Sequence, residues 1–153
     1  MRIRSFVGVV VAAGVLLATS LAHGQAKPRL VDLTGNDQMK FNLATIAAKP
    51  GETLRIRLKS IGTLPKVAMG HNFVLLAKGT DAAAFANAAA AAYSTAYIPP
   101  AMKDKVLAMT TVVGPGETAE VTFKVPAAPG SYTFLCSFPG HFVAGMKGLL
   151  VVK

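Results

Sequence analysis

Tryptophan is absent from this chain, cysteine occurs once, and only seven acidic residues stand among 153. Each scarcity excludes something. A lone cysteine, Cys136, forms no internal bridge, so an exported domain of this size has to be held by packing alone. Three histidines, His23, His71 and His141, are too few for a catalytic centre built on many imidazoles. A hydrolytic Cys136–His141 pair is weak for another reason, because it leaves Met146 without a purpose. The chain is therefore not read as an enzyme. Long apolar runs are also lacking after the first residues, which argues against stable membrane insertion.

What is present begins with a three-part N-terminus. Arg2 and Arg4 precede an apolar run from Phe6 to Ala18, followed by small residues up to Ala26, the layout of a secretory signal. The run is shorter than the ~20 residues that span a bilayer, so a cleaved signal over 1–24, cut near 24–26, is expected rather than an anchor. Residues 27–153 would then form one domain, since about 128 residues support a single core and not two. That segment carries fourteen Lys and Arg against seven Asp and Glu, a net charge of +7. Docking to an acidic partner or an anionic membrane face would use that charge. The reading adopted from the sequence is solubilising charge spread over strand faces. Nucleic acid binding has no support, because the lysines are scattered and do not alternate with aromatics.

Most of the remainder reads as short strands. Leu54, Ile56 and Leu58 alternate with Thr53, Arg55, Arg57 and Lys59, and Val121, Phe123 and Val125 alternate with Thr122 and Lys124, the pattern of a sheet with one wet face. Strands are expected over 29–33, 40–46, 53–60, 71–77, 106–113, 119–125, 130–136 and 148–152, separated by turn sequences such as Lys49-Pro50-Gly51-Glu52 and Gly114-Pro115-Gly116-Glu117. Seven or eight such strands argue an all-β Greek-key sandwich or barrel. One stretch departs from this. The alanine-rich run 80–93, with Thr80 or Asp81 to cap it, predicts a helix outside the barrel anchored by Phe85 and Tyr93.

The chemistry concentrates in Cys136-Ser137-Phe138-Pro139-Gly140-His141-Phe142-Val143-Ala144-Gly145-Met146. A thiolate, an imidazole and a thioether on one short loop suit copper, and His71 in Met69-Gly70-His71-Asn72 supplies the second imidazole. A His2Cys plane with a weak axial thioether is the pattern of a blue-copper electron-transfer centre. Zinc fits less well, because a structural zinc site takes four Cys or His ligands and a thioether adds little to it. Asn72 is placed to hydrogen-bond the loop near Ser137, and the N–H groups of Asn72 and Phe138 to point at the thiolate.

These residues, together with Gly35-Asn36-Asp37-Gln38-Met39, Phe41-Asn42, Leu64-Pro65-Lys66 and Met146-Lys147-Gly148, resemble the cupredoxins of the azurin and plastocyanin kind. The match runs over nearly all of 27–153. It is closest to azurin, with the four residues between His141 and Met146 giving an auracyanin-like loop length. The resemblance implies a cupredoxin-like β-sandwich with an external helical flap and one copper ion cycling between Cu(II) and Cu(I). It also implies periplasmic electron shuttling between a donor and an acceptor such as a cytochrome or a copper enzyme. By position, His71, Cys136 and His141 are the equatorial metal ligands, Met146 the axial one, and the Gly70 carbonyl a distant neighbour. Partners would dock on the apolar end around His141, with Phe142, Val143, Ala144 and Met102 or Ile98 from the flap, and the protein would be a monomer or weak oligomer. The alternative function is a periplasmic copper carrier that delivers Cu(I).

Overall fold

The computed structural model describes residues 27–153, so the expected signal over 1–24 and its cleavage near 24–26 lie outside the described residues. Nine strands form two sheets. The first has the order β2-β1-β4-β7, built from Lys40–Phe41, Arg29–Asn36, Thr53–Ser60 and Thr118–Lys124. The second has the order β3-β9-β8-β5-β6, built from Thr45–Ala48, Lys147–Val152, Gly130–Leu135, Val74–Leu76 and Val106–Met109. Pairing is parallel for β1 with β4 and β3 with β9, and antiparallel elsewhere. The sheets face each other as a sandwich and do not close into a barrel.

The expected strand over 40–46 is two strands in two sheets. Lys40–Phe41 pairs with β1, and Thr45–Ala48 pairs with β9. The switch occurs at Asn42, whose N–H donates to the Thr34 carbonyl while its side-chain oxygen accepts from the Thr34 N–H, so β1 is held through the side chain where the ladder stops. Such crossings at a sandwich corner let one segment serve both layers.

Alternation in the sequence becomes burial in the fold. Leu54, Ile56 and Leu58 are fully buried, as are Leu33, Leu75 and Phe134 from other strands. Phe134 lies 5.7 Å from Phe41 and 5.5 Å from Phe73, ring centre to ring centre, tying both sheets together. These aromatics carry the core without an indole.

Helix α2 spans Ala82–Ala89, with Asp81 as its N-cap accepting from the N–H groups of Ala83 and Ala84. Phe85 anchors it as expected, but Tyr93 does not, being 73% exposed. Tyr97 takes that place. Ala96 and Tyr97 both have positive φ (54° and 63°), a costly conformation for residues with a side chain. The turn they make drops the Tyr97 ring against Phe138, 4.8 Å away. A shorter helix, α1 (Lys66–Met69), precedes His71, which lies outside any strand because the strand expected over 71–77 is only Val74–Leu76, with His71 forming an isolated bridge to Val113. Among the described residues no helix is long and apolar enough to cross a membrane.

Candidate metal centre

Strand direction decides where the chemistry collects. β8 delivers Cys136 at its end, β9 departs just after Met146, and His71 bridges Val113 ahead of β5, so all three reach one end of the sandwich. The loop between Cys136 and Met146 is folded by its own backbone. Met146 N–H donates to the His141 carbonyl at 2.9 Å, and Cys136 N–H to the Met146 carbonyl at 3.0 Å. Gly140 and Gly145 take φ of 83° and 96°, which glycine adopts without a steric penalty.

Three donor atoms converge there. The Nδ1 atoms of His71 and His141 are 3.3 Å apart, and Cys136 Sγ lies 3.4 Å from His141 Nδ1. All three ligand atoms sit within 4.8 Å of one another, on residues that are 0–1% exposed. Met146 is fully buried alongside them. A Cβ placed on Gly35 would come within 2.8 Å of the Met146 methyl and 2.9 Å of the His71 ring, so Gly35 leaves the room that these two side chains share. The Gly70 carbonyl is 4.0 Å from Cys136 Sγ.

The surroundings are tied to this cluster. Asn72 Nδ2 donates to Ser137 Oγ at 2.8 Å, and Ser137 N–H donates to Asn72 Oδ1 at 2.8 Å, which locks the His71 segment to the Cys136 segment. Asn72 N–H points at Cys136 Sγ from 3.4 Å, and the Phe138 N–H also favours the thiolate. These are the contacts expected from the sequence. Two others were not. Asp37 accepts from the Thr63 N–H and hydroxyl and from the Leu64 N–H, fixing the turn that leads to α1. Lys40 Nζ donates to the Ala144 carbonyl, 104 residues away, inside the ligand loop. Nothing local in the sequence signals either bond, because both depend on the sheet-switching corner bringing 36–40 over the site.

The donor set suits a soft, redox-active cation. Burial pushes the Cys136 thiol up to about 12, and burial together with the neighbouring His71 pushes His141 down to about 4. Burial likewise lowers His71, with Asp37 opposing. Without a cation the cluster is therefore a knot of neutral, desolvated polar groups. If both Nδ1 lone pairs face the sulfur, each proton must sit on Nε2. His71 Nε2 is the one buried side-chain nitrogen or oxygen among the described residues that has no hydrogen-bond partner. An unpaired buried N–H is costly, and a ligand on Nδ1 gives that tautomer a reason to exist.

Known proteins place this geometry. The pattern described as copper binding proteins of the plastocyanin/azurin family matches residues 29–153. The chain belongs to the plastocyanin/azurin family. Azurin from Alcaligenes faecalis is 41% identical over 123 residues, covering 78% of this chain and 94% of that protein. Auracyanin-B from Chloroflexus aurantiacus is 47% identical over 83 residues, 54% of this chain and 35% of that one. Among solved structures, the blue copper protein auracyanin A from Chloroflexus aurantiacus superposes with a TM-score of 0.73 at 32% identity, covering 83% of this chain and all of the other. An azurin from Methylomonas sp. strain J gives 0.71 at 32%, covering 82% and 98%. With the His-Cys-His-Met cluster in place, this member of the family is a blue-copper electron-transfer protein with one copper ion.

Lys40 offers a local test in this site. Lys40→Met removes the tie to Ala144 while keeping most of the side chain's apolar stem. Copper loss to a strong chelator is expected to quicken about fivefold, the worth of one hydrogen bond, with the fold's melting curve little changed. An unaltered release rate would show that the loop holds itself.

Proposed function

We propose that this chain is exported to the periplasm, that its N-terminal 24 residues are a signal, and that residues 27–153 carry single electrons between two redox proteins without turning over a substrate. In this reading His71, Cys136 and His141 hold copper in one plane, Met146 is the axial ligand, and the Gly70 carbonyl is a remote neighbour. A copper ion supplies the one-electron Cu(II)/Cu(I) couple. The protein's part is to hold its ligands still, because ligand movement on a change of charge raises the barrier to transfer. The Asn72–Ser137 pair, the glycine turns at 140 and 145, and the 0–1% exposure of the trio all serve that rigidity.

The observation that carries the reading is the convergence of two imidazole nitrogens and one cysteine sulfur in a dry pocket beside a buried thioether. Complete burial also supports retention of copper over delivery to an acceptor, since a carrier needs its ligands within a partner's reach. Adding Cu(II) to the purified protein tests the assignment. An intense blue band that bleaches on reduction and returns on oxidation, with a narrow copper hyperfine splitting, is the expected spectrum. A colourless protein or an ordinary tetragonal Cu(II) signal would overturn it.

The docking face proposed for partners is the apolar end above His141. Val143 is 81% exposed there, and Leu64 and Val67, at 44% and 82%, stand out on the segment around α1. Ile98, expected from the sequence to join this face, is buried under the flap with Phe85 and Leu135, and Phe142 is half-buried beneath the Lys147 ammonium. Val143→Asp is therefore expected to slow exchange with the physiological partner about tenfold and leave the visible spectrum unchanged. Unchanged kinetics would move the face elsewhere.

A further inference from the structure

The +7 net charge of residues 27–153 is not spread over the strand faces. Each strand fixes which end its flanking residues occupy. β1 and β4 begin, and β3, β7 and β9 finish, at the end of the sandwich away from the cysteine and histidines. Lys27, Arg29, Lys49, Lys78, Lys124 and Lys153 all lie at that far pole, about 25 Å from the site by strand length. Two open recesses share Arg29 and Glu52 as a common wall, one reaching Lys49 and Lys153, the other Lys27 and Lys124. Lys78 reaches the Pro129 carbonyl at the start of β8.

Glu52 is the pole's single acidic residue, and it is spent on Arg29, 2.5 Å away. Elsewhere charges largely cancel. Arg55 meets Glu120, Arg57 meets Asp32, Lys66 meets Glu117 and Lys105 meets Asp104. The flap-side border, with Asp81, Lys103, Asp104 and Lys105, is neutral in sum. The pole thus holds five of the seven net side-chain charges.

We propose that this basic pole is a docking surface for an anionic lipid bilayer, on which the protein stands with its copper end toward the water. Protein partners are gripped by buried aromatic and arginine anchors. The pole instead offers exposed lysines on long stems, and its only large exposed apolar residue is Leu30, 43% exposed. Such an array suits a diffuse field of headgroup phosphates, each cation adding a similar small attraction. The arrangement leaves Val143 and the His141 end free for redox partners while confining diffusion to a surface.

The experiment is co-sedimentation of the copper-loaded protein with vesicles of phosphatidylcholine, with and without one-third phosphatidylglycerol. Binding is expected only to the anionic vesicles at about 25 mM salt and is lost at about 300 mM, where the screening length falls well below the pole's width. The variant Lys49→Gln/Lys124→Gln should bind about 25-fold more weakly, near fivefold per lysine. The variant Lys59→Gln/Lys66→Gln, with the same net charge but altered at the copper end, should bind as the parent does. Both share whatever precedes Lys27, so their difference isolates the pole. Absence of binding at low salt, equal weakening in both variants, or binding indifferent to salt would each overturn the proposal. Circular dichroism and the visible spectrum of both variants verify that fold and copper site are intact.

Discussion

Cys136→Ser is expected to abolish the blue band outright while the protein stays folded. The intense colour of such a site needs a polarisable sulfur donor, and a serine oxygen cannot supply one. The substitution is nearly isosteric and leaves Asn72 N–H, now 3.4 Å from the sulfur, with an oxygen to donate to. The cost to stability is the swap of a buried thiol for a hydroxyl, about 1–2 kcal/mol, which a domain without disulfides can absorb. Circular dichroism should therefore match the parent's, and absorption and EPR should report either no bound Cu(II) or a colourless site. A variant that stayed blue would remove Cys136 from the ligand set. The same burial predicts that the apoprotein's thiol, with its pKa pushed up to about 12, resists alkylation at neutral pH until the protein is unfolded.

Much of this molecule was legible in the sequence for physical reasons that can be named. Period-two alternation in 53–59 buries Leu54, Ile56 and Leu58, and in 121–125 it turns Val121 and Phe123 partly into the core and buries Val125. The Cys136–Met146 loop stood out because its candidate donors are close in sequence and of unusual type, and the fold gathers Cys136 and His141 with His71. What stayed hidden depends on contacts between distant segments. The split of 40–46 between two sheets is set by what each half finds to pair with, and no propensity marks the break at Asn42. Tyr93 and Tyr97 look alike in a run of alanines. Only the positive-φ turn at 96–97 decides that Tyr97 is buried and Tyr93 exposed. Charge placement was misread for the same reason, since lysines at strand ends look evenly spaced in sequence and gather at one pole only when the strands are laid side by side.

The apoprotein should lose stability as pH falls from 6.5 to 4, with most of that loss above the range in which its carboxylates contribute. His141 is held at about 4, below its ordinary 6.5, chiefly by burial and then by repulsion from His71. Within that window the unfolded chain binds a proton at this histidine and the folded chain does not. Unfolding then takes up protons, so stability climbs with pH and levels off above 6.5. A displacement of this size is worth about 3 kcal/mol for one group, or roughly 10 °C in melting temperature for a domain of this length. His71, lowered for the same cause, pushes in the same direction. The carboxylates act at the lower edge of this range and below it. Asp37, held low first by the Thr63 N–H, and Glu52, held low first by Arg29, contribute above their ordinary values of 3.8 and 4.5, and that contribution is lost only as pH drops through their lower folded values. Thermal melts of the apoprotein at half-unit pH steps measure the slope, and His141→Gln isolates its source. The variant should flatten the curve between 4 and 6.5 and leave the steeper fall below 4 in place. An apoprotein equally stable at pH 4.5 and 7 would mean that the histidines reach water before copper arrives, and that the metal, not the fold, closes the pocket.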